Sequence, residues 1–254
     1  MTTPGGNASA TMAFLAPRAT CGHSGDNGAF RLNFDDLPAL AVPANADAGA
    51  VKPMPVPNPY HRFWFSGDFS AAQTPQAMPF KPSSGSFIGV FTPSSQARVA
   101  RVGVGMLATT QCFRFDFQGV RVGCEGSEER CTVTITGSRW NGTHEATTGS
   151  TSLDVRPCSN GEDCLLSSKI IRSTEGVLFT NLTSVSIAAE INGEPRRLWA
   201  DDVQMAWTAN NCDAAVCRSQ VRNSIMGRSR LSSVVSGARR FLRFGPRPAL
   251  AAEM

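Results

Sequence analysis

Two Asp-Asp pairs, Asp35-Asp36 and Asp201-Asp202, fall within the first and last strand-like segments of this 254-residue chain. Carboxylates held close together repel unless a cation neutralises them. Calcium suits such a group, because it takes about six to eight oxygen ligands and accepts backbone carbonyls among them. If the first and last strands lie side by side, the four acids could converge on a structural calcium ion. The competing reading is that each pair ends a strand and caps a turn, as Asp commonly does. No ligand loop of fixed spacing, such as an EF-hand, accompanies them.

Aromatic residues supply the second candidate. Tyr60, the only tyrosine, opens a run with His61, Phe63, Trp64 and Phe65. Exposed rings stack on the apolar faces of sugars, and contiguous exposed apolar surface marks binding sites. Phe63 and Phe65 alternate, which assigns them to a core and turns Trp64 to the other face. Tyr60, His61, Trp64 and Trp140 are therefore the expected ligand surface.

Catalytic motifs are missing. There is no G-x-S-x-G elbow and no H-E-x-x-H helix. His23, His61 and His144 lack sequence-local partners that would position a base. Glu145 follows His144 directly, and both are expected in an exposed hairpin loop after a sequon. Glu128-Glu129 and Glu162-Asp163 read as solvated loop acids. An enzyme reading would need a deep pocket lined by Asp116, His61 or Trp140.

The elements that must position these residues are strands. Phe30, Leu32 and Phe34 share one face of FRLNFDD; Phe113, Phe115 and Phe117 share one face of CFRFDFQ. Val133 and Ile135, then Val185, Ile187, Ala189 and Ile191, then Val203, Met205 and Trp207 repeat the pattern. Period-two alternation is the mark of strands with one face buried and one wet. Segments 62–69, 87–91 and 98–106 are further candidates. Strand after strand without an intervening helix predicts an all-β, antiparallel jelly-roll sandwich.

Charge divides the chain. Hydrophobic residues make up 41% and charged residues 17%, which suits a turn-rich β protein better than a helical bundle. The formal charge is +4, but residues 218–254 carry eight arginines and one acid, leaving −3 for the remainder. The domain therefore lacks the basic surface that nucleic-acid binding requires. The boundaries read as a flexible segment 1–28, a sandwich domain 29–217 and a basic tail 218–254. The tail is expected to be disordered or helical; as a basic amphipathic helix it would make weak contact with anionic membrane.

Eight cysteines form no paired C-x-x-C knuckles of the zinc type. Close spacing predicts local disulfides Cys124–Cys131, Cys158–Cys164 and Cys212–Cys217, with Cys21 and Cys112 left to pair or stay free. Disulfides imply an oxidising compartment. Sequons at Asn7, Asn141 and Asn181 agree with glycosylation and secretion. Against secretion, the segment MTTPGGNASATMAFLAPRAT holds no apolar core of signal-peptide length. No segment reaches the length of a transmembrane helix.

Taken in order, LNFDDLP, VPNPYHRFWFSGDF, FRFDFQGVRVGCEGSEERCTVTITG and WADDVQMAW span residues 30–208. Together they resemble a group of fungal secreted proteins with a galactose-binding-like or jelly-roll sandwich. That resemblance implies a structural calcium near the chain ends and a role outside the cell. The function expected is a non-catalytic secreted module, monomeric, binding carbohydrate of a cell wall or host surface. The alternatives are a sandwich-fold enzyme acting on a glycan or small molecule, and an effector-like protein acting through protein contacts.

Overall fold

The computed structural model describes residues 26–39, 53–73, 79–127, 130–159 and 164–221. Fifteen strands run through them: β1 Ala29–Leu32, β2 Met54–Pro55, β3 Trp64–Phe65, β4 Phe69–Gln73, β5 Phe80–Lys81, β6 Phe87–Phe91, β7 Ala100–Gly103, β8 Phe115–Cys124, β9 Cys131–Trp140, β10 Glu145–Val155, β11 Cys164–Leu165, β12 Ser167–Ile170, β13 Ser184–Ile191, β14 Glu194–Pro195 and β15 Leu198–Trp207. Beside them stand a single helical turn α1, Ser173–Gly176, and a helix α2 over 212–221.

Two antiparallel sheets face each other as a jelly-roll sandwich. The seven-stranded sheet runs β12-β8-β15-β6-β4-β2, with β1 also on β15; the six-stranded sheet runs β10-β9-β13-β7-β3, with β14 on β13. The first strand therefore does lie beside the last, Leu32 opposite Val203. A two-stranded parallel pair, β11-β5, lies outside both sheets.

The alternating apolar residues meet between the sheets. Phe115, Phe117, Val133, Ile135, Val185, Ile187, Val203, Met205 and Trp207 join one buried cluster. Strand β6 is buried at every position because it is covered on both faces. Phe87 and Phe91 enter the main core, whereas Ile88 and Val90 enter a smaller cluster with Phe80, Leu166 and Trp199.

Strand β15 changes face midway. Leu198 and Ala200 point into the main core, and so do Val203, Met205 and Trp207. Even positions give way to odd ones at Asp201-Asp202, where the register against β8 shifts and Asp202 takes φ 51°. This is a β-bulge: one extra residue that bends the strand and re-aims its side chains. It turns both carboxylates away from the core. β8 shows the same switch, from Phe117 to Val120, near a second shift opposite Gln204 and Met205.

Helix α2 closes the described chain. Arg218, counted with the basic tail on charge, is fully buried in the folded body. Its guanidinium donates to the backbone carbonyls of Asp26 at 2.8 Å, Cys112 at 2.6 Å and Ala209 at 2.8 Å. It also lies 4.8 Å from the ring centroid of Trp207. Residues 222–254, the rest of the expected basic tail, lie outside the described residues, as does most of segment 1–28.

The cysteine expectations divide. Cys124–Cys131 and Cys158–Cys164 are bonded as spacing suggested. Cys212–Cys217 is not: Cys217 pairs with Cys112 across 105 residues, and Cys212 is disulfide-bonded elsewhere. Residues five apart on a helix point about 140° from each other, so α2 cannot bring these two sulfurs together. Cys21 lies outside the described residues, and none of the described cysteines is free.

Candidate binding cleft

The outer face of the six-stranded sheet carries a cleft of about 490 Å³. Its floor is a row of cross-strand neighbours, Trp64 on β3, Gly103 on β7 and Ser184 on β13, paired in register. Because paired residues share a face, the pleat that sends Phe65 and Val102 into the core turns Trp64, Arg101 and Gly103 outward. Trp140 closes β9, and its partner Glu145 opens β10. Thr143 and His144, from the turn between them, form the rim.

That turn is shaped by Asn141. Its Oδ1 accepts from the Thr143 amide, the Thr143 hydroxyl and the His144 amide, each at 3.0 Å. An Asn side chain closing on the backbone two residues ahead mimics a backbone turn. Gly105 shapes the opposite wall. It has φ +54°, and a Cβ there would stand 2.8 Å from the Trp64 ring. Only glycine lets the indole settle against this backbone.

The cleft combines apolar and charged groups. Trp64 and Trp140 are each half-buried, with one side packed on the core. Arg101 forms an ion pair with Glu145 and donates to Ser184 Oγ at 3.0 Å. Glu145 also accepts from Thr183 Oγ1 at 2.8 Å and Ser184 Oγ at 3.1 Å. Burial pulls the Arg101 guanidinium below its ordinary value.

Of the expected ligand surface, the cleft brings Trp64 and Trp140 together and leaves Tyr60 and His61 out. Tyr60 is 5% exposed and stacks on Phe34 with centroids 5.5 Å apart. Its hydroxyl donates to Asp36. Burial and the Asp36 carboxylate push the phenol well up. His61 Nε2 lies 2.7 Å from the other Asp36 oxygen. Burial would raise the Asp36 carboxyl, but the Tyr60 hydroxyl and His61 outweigh it and hold the group low. Tyr60 failed as a ligand candidate because the turn 60–63, with Tyr60 and Phe63 bonded to each other, folds its ring inward.

The four aspartates do not form one group. Asp36 belongs to Tyr60 and His61. The other three converge on the loop 83–86, where hydroxyls and amides take up their oxygens. Asp201 Oδ2 accepts from the Ser83 amide at 2.7 Å and its hydroxyl at 2.6 Å. Asp35 Oδ1 accepts from the amides of Ser86 at 2.9 Å and Phe87 at 3.1 Å. Asp202 faces Arg31 at 3.4 Å and Arg121 at 3.3 Å. Among the described residues, no group of three or more His, Cys, Asp or Glu is arranged to hold a metal ion. Burial raises the Asp201 carboxyl despite its hydrogen bonds.

Asp116 is structural: its Oδ1 accepts from the Asn181 amide at 2.9 Å and Thr208 Oγ1 at 2.5 Å. Of the sequons, Asn141 is exposed beside the cleft, whereas at Asn181 the third residue, Thr183, is fully buried. Asn7 lies outside the described residues.

Sequence reasoning missed Arg101, Gly103, Gly105 and Ser184. The outward parity of Arg101 and Gly103 on β7 and of Ser184 on β13 was legible, but which strands are neighbours was not, and Gly105 lies in the turn after β7, where strand parity says nothing. Glu145 was seen only as a loop acid. Strand β10 has no clean apolar alternation, since most of its residues are half-exposed or exposed, so it gave no strand signal.

No curated protein matches the chain. Among solved structures, it is similar to a Clostridium thermocellum endo-1,4-beta-D-xylanase 10B comprising CBM22-1 and GH10 modules with xylohexaose. The identity is 14% and the TM-score 0.37, over 59% of this chain and 26% of that one. It is also similar to the C-terminal family 22 carbohydrate binding module of Clostridium thermocellum Xyn10B, at 12% identity and TM-score 0.35, over 65% of this chain and 96% of that one. The family model that spans the sandwich, residues 26–218, is that of a domain of unknown function, DUF7371, and the chain belongs to that family.

Proposed function

We propose that this sandwich is a non-catalytic carbohydrate-binding module of an oxidising, extracellular setting, and that the cleft on the six-stranded sheet is its binding site. The observation that carries this reading is the pair of half-buried indoles, Trp64 and Trp140, flanking an open cleft whose floor offers hydroxyl and guanidinium groups. Rings fixed by the core present apolar faces to a sugar at low entropic cost. Ser66, Thr143, Ser184 and Arg101 supply hydrogen bonds to its hydroxyls.

The lining also speaks for binding rather than hydrolysis. Glycoside hydrolysis ordinarily uses two carboxyl groups across the scissile bond. Here Glu145 is the single carboxylate of the lining, and Arg101, Thr183 and Ser184 already occupy it. The disulfides Cys112–Cys217, Cys124–Cys131 and Cys158–Cys164 favour an oxidising location.

Titration calorimetry against a panel of soluble β- and α-linked oligosaccharides tests the reading. Binding should be present in the wild-type protein. It should weaken about tenfold or more in Trp64→Ala and in Trp140→Ala, as expected when a buried aromatic anchor is truncated. A panel without any binder, or variants that bind as the wild type does, would refute it.

A further inference from the structure

The formal charges of the cleft lining cancel. Arg101 and Glu145 are the lining residues of opposite formal charge, and they are paired with each other. Glu145 is the more enclosed partner, its side chain 20% exposed against 48% for Arg101. Its oxygens are taken by Thr183 Oγ1 on one side and by Ser184 Oγ and Arg101 on the other. Glu145 therefore sits behind Arg101 and holds it, with the guanidinium turned to the cleft.

We infer that Glu145 is a specificity-determining positioning residue that tunes the cleft to uncharged sugars and against uronates. This rests on the carbohydrate-binding reading above. With Glu145 in place, Arg101 offers N–H donors to sugar hydroxyls without offering net positive charge. A uronate reaching Arg101 must approach Glu145 as well, and like charges brought together in a partly desolvated site repel strongly. If Arg101 left Glu145 to bind the uronate, it would strand a half-buried carboxylate, a costly outcome. The remaining lining carries no compensating lysine or second arginine: it is Trp64, Phe65, Ser66, glycines, Ala108, Trp140, Thr143, His144 and Ser184.

The test uses matched oligosaccharides that differ only at C6: β-1,4-glucan, β-1,4-mannan and α-1,4-galactan hexamers against the corresponding uronates. Binding to the full chain is measured by calorimetry at pH 7.5. The wild type should bind the best neutral hexamer about tenfold or more tightly than its uronate. Glu145→Gln keeps a hydrogen-bonding side chain but removes the charge. It should gain about tenfold in uronate affinity, and that gain should fade with added salt. Arg101→Gln loosens the same hairpin and should gain nothing for uronates, which separates charge from loosening. Wild-type uronate binding within about threefold of neutral binding overturns the inference and leaves the carbohydrate reading standing. So does a Glu145→Gln protein, folded by thermal melt, that shows no uronate gain. If no hexamer of either series binds the wild type, the carbohydrate reading falls and takes this inference with it.

Discussion

Replacing Arg218 by Met should cost about 3 kcal/mol of stability. Methionine keeps the unbranched stem and removes the guanidinium. Three backbone carbonyls, those of Asp26, Cys112 and Ala209, then lose donors at 2.6–2.8 Å in a fully buried site. Hydrogen bonds to charged groups contribute about 1.5–3 kcal/mol each, so the three set an upper bound far above the expected loss. Two effects reduce it. Burial disfavours the Arg218 cation, pulling its pKa down to about 10, so removing it recovers desolvation. Asp26 also keeps Arg62, at 2.7 Å, and is not left as a lone buried charge. What remains is about 1 kcal/mol for each of the three carbonyls left without its donor, the low end of what an unsatisfied buried acceptor costs. For a domain of this size, about 3 kcal/mol corresponds to a fall in melting temperature of roughly 6–12 °C. Urea unfolding followed by tryptophan fluorescence reads it, since Trp207 stands 4.8 Å from the guanidinium. Arg196→Met, at an exposed position, is the control and should shift stability by less than about 0.5 kcal/mol. An Arg218→Met loss below about 1 kcal/mol would refute the claim that this arginine ties α2 to the sandwich.

The Cys112→Ser/Cys217→Ser protein should lose about 2–4 kcal/mol in the same assay, because the bond closes a loop spanning 105 residues and limits the unfolded chain. Glu175 predicts a pH dependence. Hydrogen bonds from Thr151, from Lys169 and from the Arg172 amide lower its carboxyl from 4.5 to about 2. The folded state thus binds this proton less tightly than the unfolded state, so the stabilisation is full above pH 4.5 and disappears as pH falls towards 2. The difference in thermal midpoint between wild type and Glu175→Gln should shrink across that window and stay constant above it. Gly105→Ala should weaken oligosaccharide binding more than it lowers the melting temperature, because the new Cβ would displace the Trp64 ring or strain a backbone at φ +54°. Calorimetry paired with a thermal melt measures both.

The parts legible in the sequence share one property: each is decided within a few neighbouring residues. Phe115 and Phe117, or Val185 and Ile187, announce a buried strand face by alternation alone, and they are buried. Cys124–Cys131 follows from a short loop that holds its ends together. The same logic failed for Cys212 and Cys217, because a helix rather than a loop separates them. It failed for Tyr60, whose ring turns inward through the turn 60–63. Asp201-Asp202 was placed correctly on the last of the described strands. The bulge that turns the pair outward, and the Ser83–Ser86 loop that receives it, are long-range features with no local signature.

The sequence by itself determined the class of fold: an all-β chain with alternating faces, stapled by cysteines, whose first and last strands could pair. It also singled out Trp64 and Trp140. Only the tertiary structure joined those two rings, which lie on β3 and β9, and set Arg101 from β7 and Glu145 from β10 between them. Alternation tells a side chain which face of its strand it occupies, but not which strand lies next to it. Strand order is set by how all the apolar faces close over one core, and a site on the outer face of a sheet inherits its composition from that order.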